Sequence, residues 1–169
     1  GRLRIRQSER QGRLRLRGEL HRLIVRRAEP ADHPIWAAML AQLHRDQSAV
    51  EFEGELAAFT KLPEPYAGFL AFSDGGEPIG MIDARVRNYA EGAPNLRAAY
   101  VEDLWVDPEH RRSGVAAKLL EAVETWAREQ NLDWLGSDTM PDNTLSREWH
   151  RAMGFAEVEK IVVFGKRLR

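Results

Sequence analysis

The sequence contains no cysteine, and this absence removes several kinds of chemistry. Disulfide bonds, thiolate metal sites and a cysteine nucleophile are all excluded. Long apolar runs are also missing: no stretch reaches the length of about eighteen residues typical of a transmembrane helix, and no apolar run follows the basic start as in a signal peptide. We therefore expect a cytoplasmic protein with no membrane partner, whose carboxylates, histidines, hydroxyls and backbone groups carry any catalysis.

Charge is distributed unevenly along the chain. Residues 1–27 contain ten arginines and two glutamates, so that residues 28–169 carry 15 basic and 24 acidic side chains. An acidic body attracts cations, whereas binding to nucleic acid requires surplus lysine and arginine. Acidity of this size also serves simply to keep a protein soluble. The balance argues against nucleic acid as the main partner of the acidic part.

A length of 169 residues with 43% apolar content suits one compact domain. Residues 1–21 alternate arginine with leucine or isoleucine and offer little to a core, so we expect a loosely ordered arginine-rich extension there and a single domain over residues 22–169. Periodicity and turn signals predict strands at 23–25, 66–72, 79–86, 98–106, 134–137 and 156–165, with helices at about 30–46, 51–60, 114–129 and 143–154. This order indicates an α/β sheet covered by helices.

A basic, glycine-containing turn links the strand that ends at Val106 to the following helix. Residues 107–114 read Asp-Pro-Glu-His-Arg-Arg-Ser-Gly. Backbone N–H groups at a helix start lack partners and lie at the positive end of its dipole, which suits a pyrophosphate. Gly114 permits close approach of the backbone, and Arg111 and Arg112 add charge-assisted contacts. Taken alone, an ordinary surface turn explains these residues equally well.

Three features together resemble the GNAT superfamily of N-acetyltransferases. Residues 111–116 match its pattern of Arg or Gln, two residues, Gly, one residue, and Gly or Ala; residues 104–108 resemble its fourth strand, and Asn143 followed by residues 150–155 resembles its second motif. The resemblance covers most of residues 23–168. It implies a central mixed sheet of six to seven strands covered by helices, with two parallel strands splayed apart at the cofactor site.

The resemblance further implies acetyl-CoA as cosubstrate, bound where the strands ending at Val106 and Ser137 separate, and no metal. Backbone groups of Leu104 to Val106 hold the pantetheine arm, and an amide near Val106 is the candidate donor to the tetrahedral oxyanion. The predicted cofactor-binding residues are Leu104, Trp105, Val106, Arg111, Arg112, Ser113, Gly114, Val115, Ala116, Ala117 and Asn143.

A closer likeness is to the aminoglycoside 6'-N-acetyltransferases. It is carried by residues 101–106, by Ser137-Asp138-Thr139 with Asn143-Thr144, and by residues 157–160, and it spans about residues 79–167. It implies a cationic small-molecule partner, direct transfer of acetyl to the 6'-amine of a drug such as kanamycin in a ternary complex, antibiotic resistance, and a homodimer.

The acceptor amine arrives mostly as ammonium, because alkyl amines have pKa values like that of lysine. An acidic group must bind it and accept its proton. Glu102 lies on the strand leading into the cofactor site, and Asp138 follows the next parallel strand, where ligands bind in open α/β sheets. The structural alternatives are an exposed strand position or a salt bridge for Glu102, and an N-terminal cap of the following turn for Asp138. The predicted catalytic residues are Glu102, Asp138 and His150, and the predicted acceptor contacts are His44, Tyr89, Glu102, Asp138 and Glu159.

Two of these residues depart from the pattern of the group. His44 stands where the aminoglycoside enzymes usually have tryptophan, and a histidine on a helix surface is its plain interpretation. His150 stands where many GNAT enzymes have a tyrosine that protonates the departing thiolate. A histidine can act as this acid near neutral pH, or can pack within the helix while coenzyme A leaves as a thiolate. Tyr89 and Glu159 equally suit exposed positions in a loop and on a strand.

Two further functions fit the sequence. Acetylation of a polyamine, an amino acid or a protein N-terminus uses the same fold. A nucleic-acid-binding module that uses the arginine-rich residues 1–21 is the alternative from a different class. Removal of residues 1–20 separates them, because an enzyme keeps its turnover whereas a binding module loses its affinity.

Overall fold

A computed structural model describes residues 22–168, so the predicted extension at residues 1–21 lies outside the described range. Within that range, five strands form one sheet in the order β1-β2-β3-β4-β5. The strands are Ile24–Arg27 (β1), Tyr66–Phe72 (β2), Pro78–Arg87 (β3), Ala98–Val106 (β4) and Leu135–Gly136 (β5). The helices are His33–Leu43 (α1), Ala49–Phe59 (α2), Val115–Glu129 (α3) and Thr144–Ala152 (α4). Strands β1 to β4 are antiparallel, and β5 runs parallel to β4.

Local sequence signals explain where the helices start. At the start of α2 the Ser48 hydroxyl accepts a hydrogen bond from the Glu51 N–H, and the Glu51 carboxylate accepts one from the Ser48 N–H, a reciprocal capping box. Ahead of α1, the buried Asp32 carboxylate accepts hydrogen bonds from the Glu29 N–H and from both terminal nitrogens of Arg26. This ion pair ties β1 to the first helix.

The core has two layers, one on each face of the sheet. One face packs against α3, whose Leu119, Val123 and Trp126 are almost fully buried. The other face packs against α1 and α2 around Trp36. Gly68 of β2 makes room for this ring, because a Cβ there would lie 2.2 Å from it. No helix within residues 22–168 combines the length and apolarity needed to cross a membrane.

The expectation of six to seven strands is wrong, because the sheet formed by the described residues has five. Residues 156–165, predicted as the last strand, form no regular secondary structure and pair with no strand in the described part of the chain. Apolar residues at consecutive positions require cover on both faces of a strand. Here Val162, Val163 and Phe164 are 78%, 83% and 90% exposed. We refer to residues 156–168 as the C-terminal arm.

Candidate active site

A β-bulge shapes the strand that leads into the predicted site. Asp83 of β3 pairs with Asp103 while Ala84 pairs with Val101, so Glu102 is the extra residue of β4. On its other edge, β4 pairs with β5 only at Ala99 and Tyr100. The rest of β4, from residue 101 to residue 106, has no strand partner on that side within the described residues. The two parallel strands therefore separate as expected.

Charged and aromatic side chains gather at the bulge, where they form what we call the polar face: Arg85, Arg87, Tyr100, Glu102, Asp103 and Asp138. Arg87 binds both oxygens of Glu102, with Nε to Oε1 at 2.9 Å and Nη2 to Oε2 at 2.6 Å. The Nε of Arg85 lies 3.2 Å from the same Oε1, close enough for an ion pair although no hydrogen bond forms. The salt bridge considered as the alternative for Glu102 is thus the contact that the structure contains.

Tyr100 connects this ion pair to the end of β5. The Arg87 guanidinium lies 3.6 Å above the Tyr100 ring, and the Tyr100 hydroxyl donates a 2.9 Å hydrogen bond to Asp138 Oδ1. Burial and the neighbouring Asp138 raise the pKa of Tyr100, which keeps the phenol protonated. Gly136 makes the crossing possible, since a Cβ there would lie 2.6 Å from the Tyr100 ring. Glu102 and Asp138 therefore belong to one connected set of groups.

Sequence reasoning missed two carboxylates beside the bulge, Asp83 and Asp103. Asp83 is 1% exposed and accepts hydrogen bonds from the Tyr66 hydroxyl at 2.6 Å and the Asp103 N–H at 2.9 Å. Burial, reinforced by the charge of Asp103, raises the pKa of Asp83 to about 8, so this carboxyl is largely protonated at neutral pH. Its backbone contact holds the bulge in place.

His44 lies beside Asp103, and the pair joins the end of α1 to β4. His44 Nε2 and Asp103 Oδ1 are 2.6 Å apart, and the two side chains are 43% and 23% exposed. Strict alternation along β4 would put Glu102 and Asp103 on opposite faces, and for that reason the sequence did not suggest Asp103. The extra residue in the bulge breaks this alternation, so that Glu102 binds Arg87 while its neighbour Asp103 binds His44.

The glycine-containing turn before α3 has the backbone of an anion-binding loop. Arg112 and Gly114 adopt left-handed conformations with φ of 60° and 89°. No side chain of the described residues caps the first turn of α3, and a Cβ on Gly114 would have none of their atoms within 4 Å. Uncapped N–H groups at a helix start, next to left-handed residues, form a concavity suited to phosphate. Arg111 Nε donates to the Val106 carbonyl at 3.0 Å and so ties the turn to the end of β4.

Asn143 precedes α4 as its N-cap residue, and His150 lies in the last turn of that helix. The Asn143 side chain caps α4 by accepting from the Ser146 N–H at 3.1 Å. His150 Nδ1 lies 2.7 Å from the Ser146 carbonyl, and Nε2 lies 2.8 Å from the Ser137 hydroxyl. Because a carbonyl only accepts, Nδ1 carries the proton of the neutral ring and Nε2 accepts from Ser137. As positioned, His150 orients a hydroxyl at the end of β5.

The remaining predicted residues fall into two groups. Leu104 and Val106 pack toward the α3 side and Trp105 toward the α1 side, while Val115 is buried, so it is mainly backbone that borders the gap. Arg112, Ser113 and Ala117 are exposed, and Ala116 is half-buried.

Tyr89 is 62% exposed in the loop after β3, and Glu159 is exposed on the C-terminal arm, so the structure does not bring these two to the polar face. Within residues 22–168, no three His, Cys, Asp or Glu side chains are grouped to hold a metal ion.

Comparison with known proteins agrees with this architecture. The model of the acetyltransferase (GNAT) family matches residues 36–155. The aminoglycoside N(6')-acetyltransferase type 1 of Klebsiella aerogenes is 35% identical over 147 residues, which cover 86% of this chain and 97% of the relative. The enzyme with this name from Acinetobacter haemolyticus is 39% identical over 109 residues, which cover 63% of this chain and 74% of the relative.

Solved structures give the same result. The aminoglycoside 6'-N-acetyltransferase AAC(6')-Ih of Acinetobacter baumannii superposes with a TM-score of 0.79 at 30% identity, covering 88% of this chain and all of its own. AAC(6')-Iy in complex with CoA gives a TM-score of 0.83 at 28% identity, with 89% and 99% covered. The family match, the relatives, the splayed strands and the loop before α3 agree, and the chain belongs to the acetyltransferase (GNAT) family as an acetyl-CoA-dependent N-acetyltransferase.

Proposed function

We propose that this enzyme transfers the acetyl group of acetyl-CoA to a primary amine of a cationic acceptor, namely the 6'-amino group of an aminoglycoside, and thereby confers resistance. One observation carries the proposal: three carboxylates lie where β4 and β5 separate. Glu102 and Asp103 are on the part of β4 that does not pair with β5, and Asp138 follows β5. The names of the curated relatives support the acceptor class, and so does the solved complex of AAC(6')-Iy with a bisubstrate analogue, CoA-S-monomethyl-acetylneamine.

The residues present fit acetyl-CoA. The turn of Arg112 and Gly114 offers left-handed backbone and uncapped N–H groups for the pyrophosphate. The backbone edge of residues 104–106, which pairs with no strand of the described chain on the β5 side, offers groups for the pantetheine arm, and an amide there serves as the donor to the oxyanion. Arg111 contributes by fixing the turn against Val106. No step in this scheme uses a metal ion.

Asp138 is the carboxylate best suited to receive an ammonium group of the acceptor. It is exposed, and only one of its oxygens accepts a hydrogen bond from the described residues, from the neutral Tyr100 hydroxyl. Glu102, by contrast, already binds two arginines. We propose that Asp138 binds a charged amine directly, and that Glu102 sets the position of Arg87 and through it of Tyr100. Tyr89 and Glu159 stay predictions as outer contacts of the acceptor.

The reaction we propose is direct attack in a ternary complex. The free amine forms a C–N bond to the thioester carbonyl carbon, the C–S bond breaks, and coenzyme A departs as a thiolate. The amine nitrogen loses one proton, and the thiolate gains one. His150 stays a prediction as the source of that second proton. In that role the imidazolium form of His150 would donate from Nε2 to the Ser137 hydroxyl, 2.8 Å away, and that hydroxyl would pass its own proton to the thiolate.

The test is an acetyl-CoA-dependent thiol-release assay with kanamycin, spermidine and a short peptide as acceptors, followed by identification of the acetylated nitrogen. We expect turnover with kanamycin at the 6'-amine. Preferential turnover of spermidine or the peptide would refute the aminoglycoside assignment while retaining the enzyme class. The Glu102→Gln variant tests the site: we expect lower kcat/KM for kanamycin and an unchanged KM for acetyl-CoA.

We also propose that residues 22–169 form one domain and that two copies assemble as a homodimer through the C-terminal arm. Placement in the cytoplasm stays a prediction. The arm presents an apolar run at Ile161 to Phe164 that nothing in the described chain covers. Elsewhere, β5 is a short edge strand next to a groove of about 480 Å³ lined by α3, residues 132–135 and residues 153–155. An apolar segment that the described residues leave uncovered and the edge of a short strand are complementary surfaces for two copies of one chain.

Sedimentation of the full chain against a Phe164→Asp variant tests this assembly. We expect a dimer for the full chain and a monomer for the variant, because a charge at the most exposed apolar position of the arm opposes its burial. Dimers of equal strength for both proteins would contradict assembly through the arm.

A further inference from the structure

We propose that His44 and Asp103 act as one proton-accepting pair for the ammonium group of the acceptor, with His44 as the group that touches it. The inference rests on the proposed function, because it names the base of that amine transfer. It gives a role to the position where the sequence departs from the tryptophan usual in the resembling group.

The geometry of the pair fixes which nitrogen of His44 is free. Asp103 Oδ1 lies 2.6 Å from His44 Nε2, and a carboxylate accepts hydrogen bonds, so the neutral ring carries its proton on Nε2. Its lone pair is then on Nδ1, which bonds to no group in the described part of the chain. A histidine that a carboxylate orients through one nitrogen, with the other nitrogen open, has the arrangement of a general base.

Asp103 is itself held firmly. Its N–H donates to buried Asp83 at 2.9 Å, and Asp83 also accepts from the Tyr66 hydroxyl at 2.6 Å. Asp83 and Tyr66 lie on the neighbouring strands β3 and β2. The Asp103 side chain, 23% exposed, instead points away from them and contacts His44. The pair is therefore anchored on its protein side and open toward solvent through His44, whose side chain is 43% exposed.

Glu102 is less well placed to take the proton, although it adjoins Asp103. Both of its oxygens lie against arginine nitrogens, at 2.6 to 3.2 Å, and a proton arriving there would have to displace one of them. Among residues 22–168, the Asp103 side chain forms its ion pair with the His44 ring alone. Of the two adjacent carboxylates, Asp103 is the one hydrogen-bonded to an imidazole, a group that can accept a proton on its second nitrogen.

Few groups of the described chain face His44. Asp103 and protonated Asp83 lie on the sheet side, and the Phe52 ring of α2 lies 5.8 Å from the imidazole. Arg45 and Asp46 follow it in the chain and are exposed. In the step we propose, one ammonium proton moves to Nδ1 and leaves a free amine to attack the thioester. The resulting imidazolium keeps its Nε2–H bond to Asp103 and returns the proton to solvent.

The experiment compares His44→Gln, Asp103→Asn and the double variant with a control, Asp46→Asn, which removes an exposed charge close to His44 in the chain. The readout is kcat/KM for kanamycin against pH, together with the KM for acetyl-CoA. At pH 7 we expect each test variant to lose about a hundredfold in kcat/KM, the usual scale for a general base, and to approach wild type as pH rises. The kcat/KM of the double variant should be no lower than that of the more impaired single variant, because the two residues act as a unit.

A second measurement separates chemistry from structure. His44→Ala leaves space for added imidazole, which should restore part of the activity to this variant and none to Asp46→Asn. A wild-type pH profile in His44→Gln, with the wild-type enzyme active on kanamycin, would overturn the pair and leave the proposed function standing. Wild-type protein that binds acetyl-CoA but acetylates no amine would overturn both.

Discussion

Replacement of Gly114 by valine tests the cofactor loop, and the structure supplies a matched control. Gly114 has φ of 89° and Gly76, in the turn between β2 and β3, has φ of 81°; a methyl group added to either would have no atom of the described chain within 4 Å. Left-handed backbone costs a side-chain-bearing residue about 1–2 kcal/mol, so Gly114→Val and Gly76→Val should lose similar stability. Only Gly114→Val obstructs an approaching phosphate. Loss of one charge-assisted hydrogen bond, about 1.5–3 kcal/mol, corresponds to a rise in KM of roughly 10- to 150-fold.

The assay measures thiol release against acetyl-CoA concentration at saturating kanamycin for wild type and both variants, with urea unfolding of each protein alongside. We expect the KM for acetyl-CoA to rise in Gly114→Val alone, while the KM for kanamycin changes little in either variant. Equal KM values for acetyl-CoA in the two folded variants would refute the assignment of this loop to the pyrophosphate.

Three other perturbations have defined outcomes. Asp138→Asn should weaken kanamycin binding by calorimetry at low salt, with a difference from wild type that shrinks as salt screens the contact; equal affinities at low salt would exclude Asp138 as a binding group. The Arg26 guanidinium lowers the pKa of Asp32 to about 2, so the ion pair stabilises the fold fully above about pH 4 and loses this effect as pH falls through 2. Arg26→Gln should therefore cost about 1–2 kcal/mol in urea unfolding at pH 6, and the difference from wild type should shrink to a small part of that value at about pH 2. Burial raises the pKa of Asp83 to about 8, so wild type should lose stability relative to Asp83→Asn between about pH 4 and pH 8, by at most about 1.4 kcal/mol per pH unit, and a constant gap would contradict this burial effect.

Much of the fold was predictable because local patterns and tertiary packing agree. The predicted bounds of β2 and β4, residues 66–72 and 98–106, match the structure, and the predicted helix at 114–129 differs from α3 by one residue. The absence of the predicted strand at residues 156–165 could not be foreseen by this route. These residues have high strand propensity, but propensity does not supply a neighbouring strand, and residues 156–165 find none within the described chain.

The candidate site was only partly predictable. The sequence predicted a close approach of the backbone at Gly114, but it did not indicate the positive φ that Gly114 and Arg112 adopt. The bulge at Glu102 depends on pairing between β3 and β4, so the sequence of β4 alone does not reveal it. The contacts of Asp103 with Asp83 and His44 depend on that bulge and were missed with it.

Gly136 has a consequence for how this protein diverges from its relatives. The Tyr100 ring occupies the space that any side chain at position 136 would need, and the same ring supports Arg87 on one side and holds Asp138 through its hydroxyl. A gain of a single methyl group at position 136 therefore requires Tyr100 to move or to be replaced by a smaller residue. Positions 100 and 136 are expected to change together during evolution. Such a change would shift the positions of Arg87 and Asp138 on the polar face without replacing any charged residue.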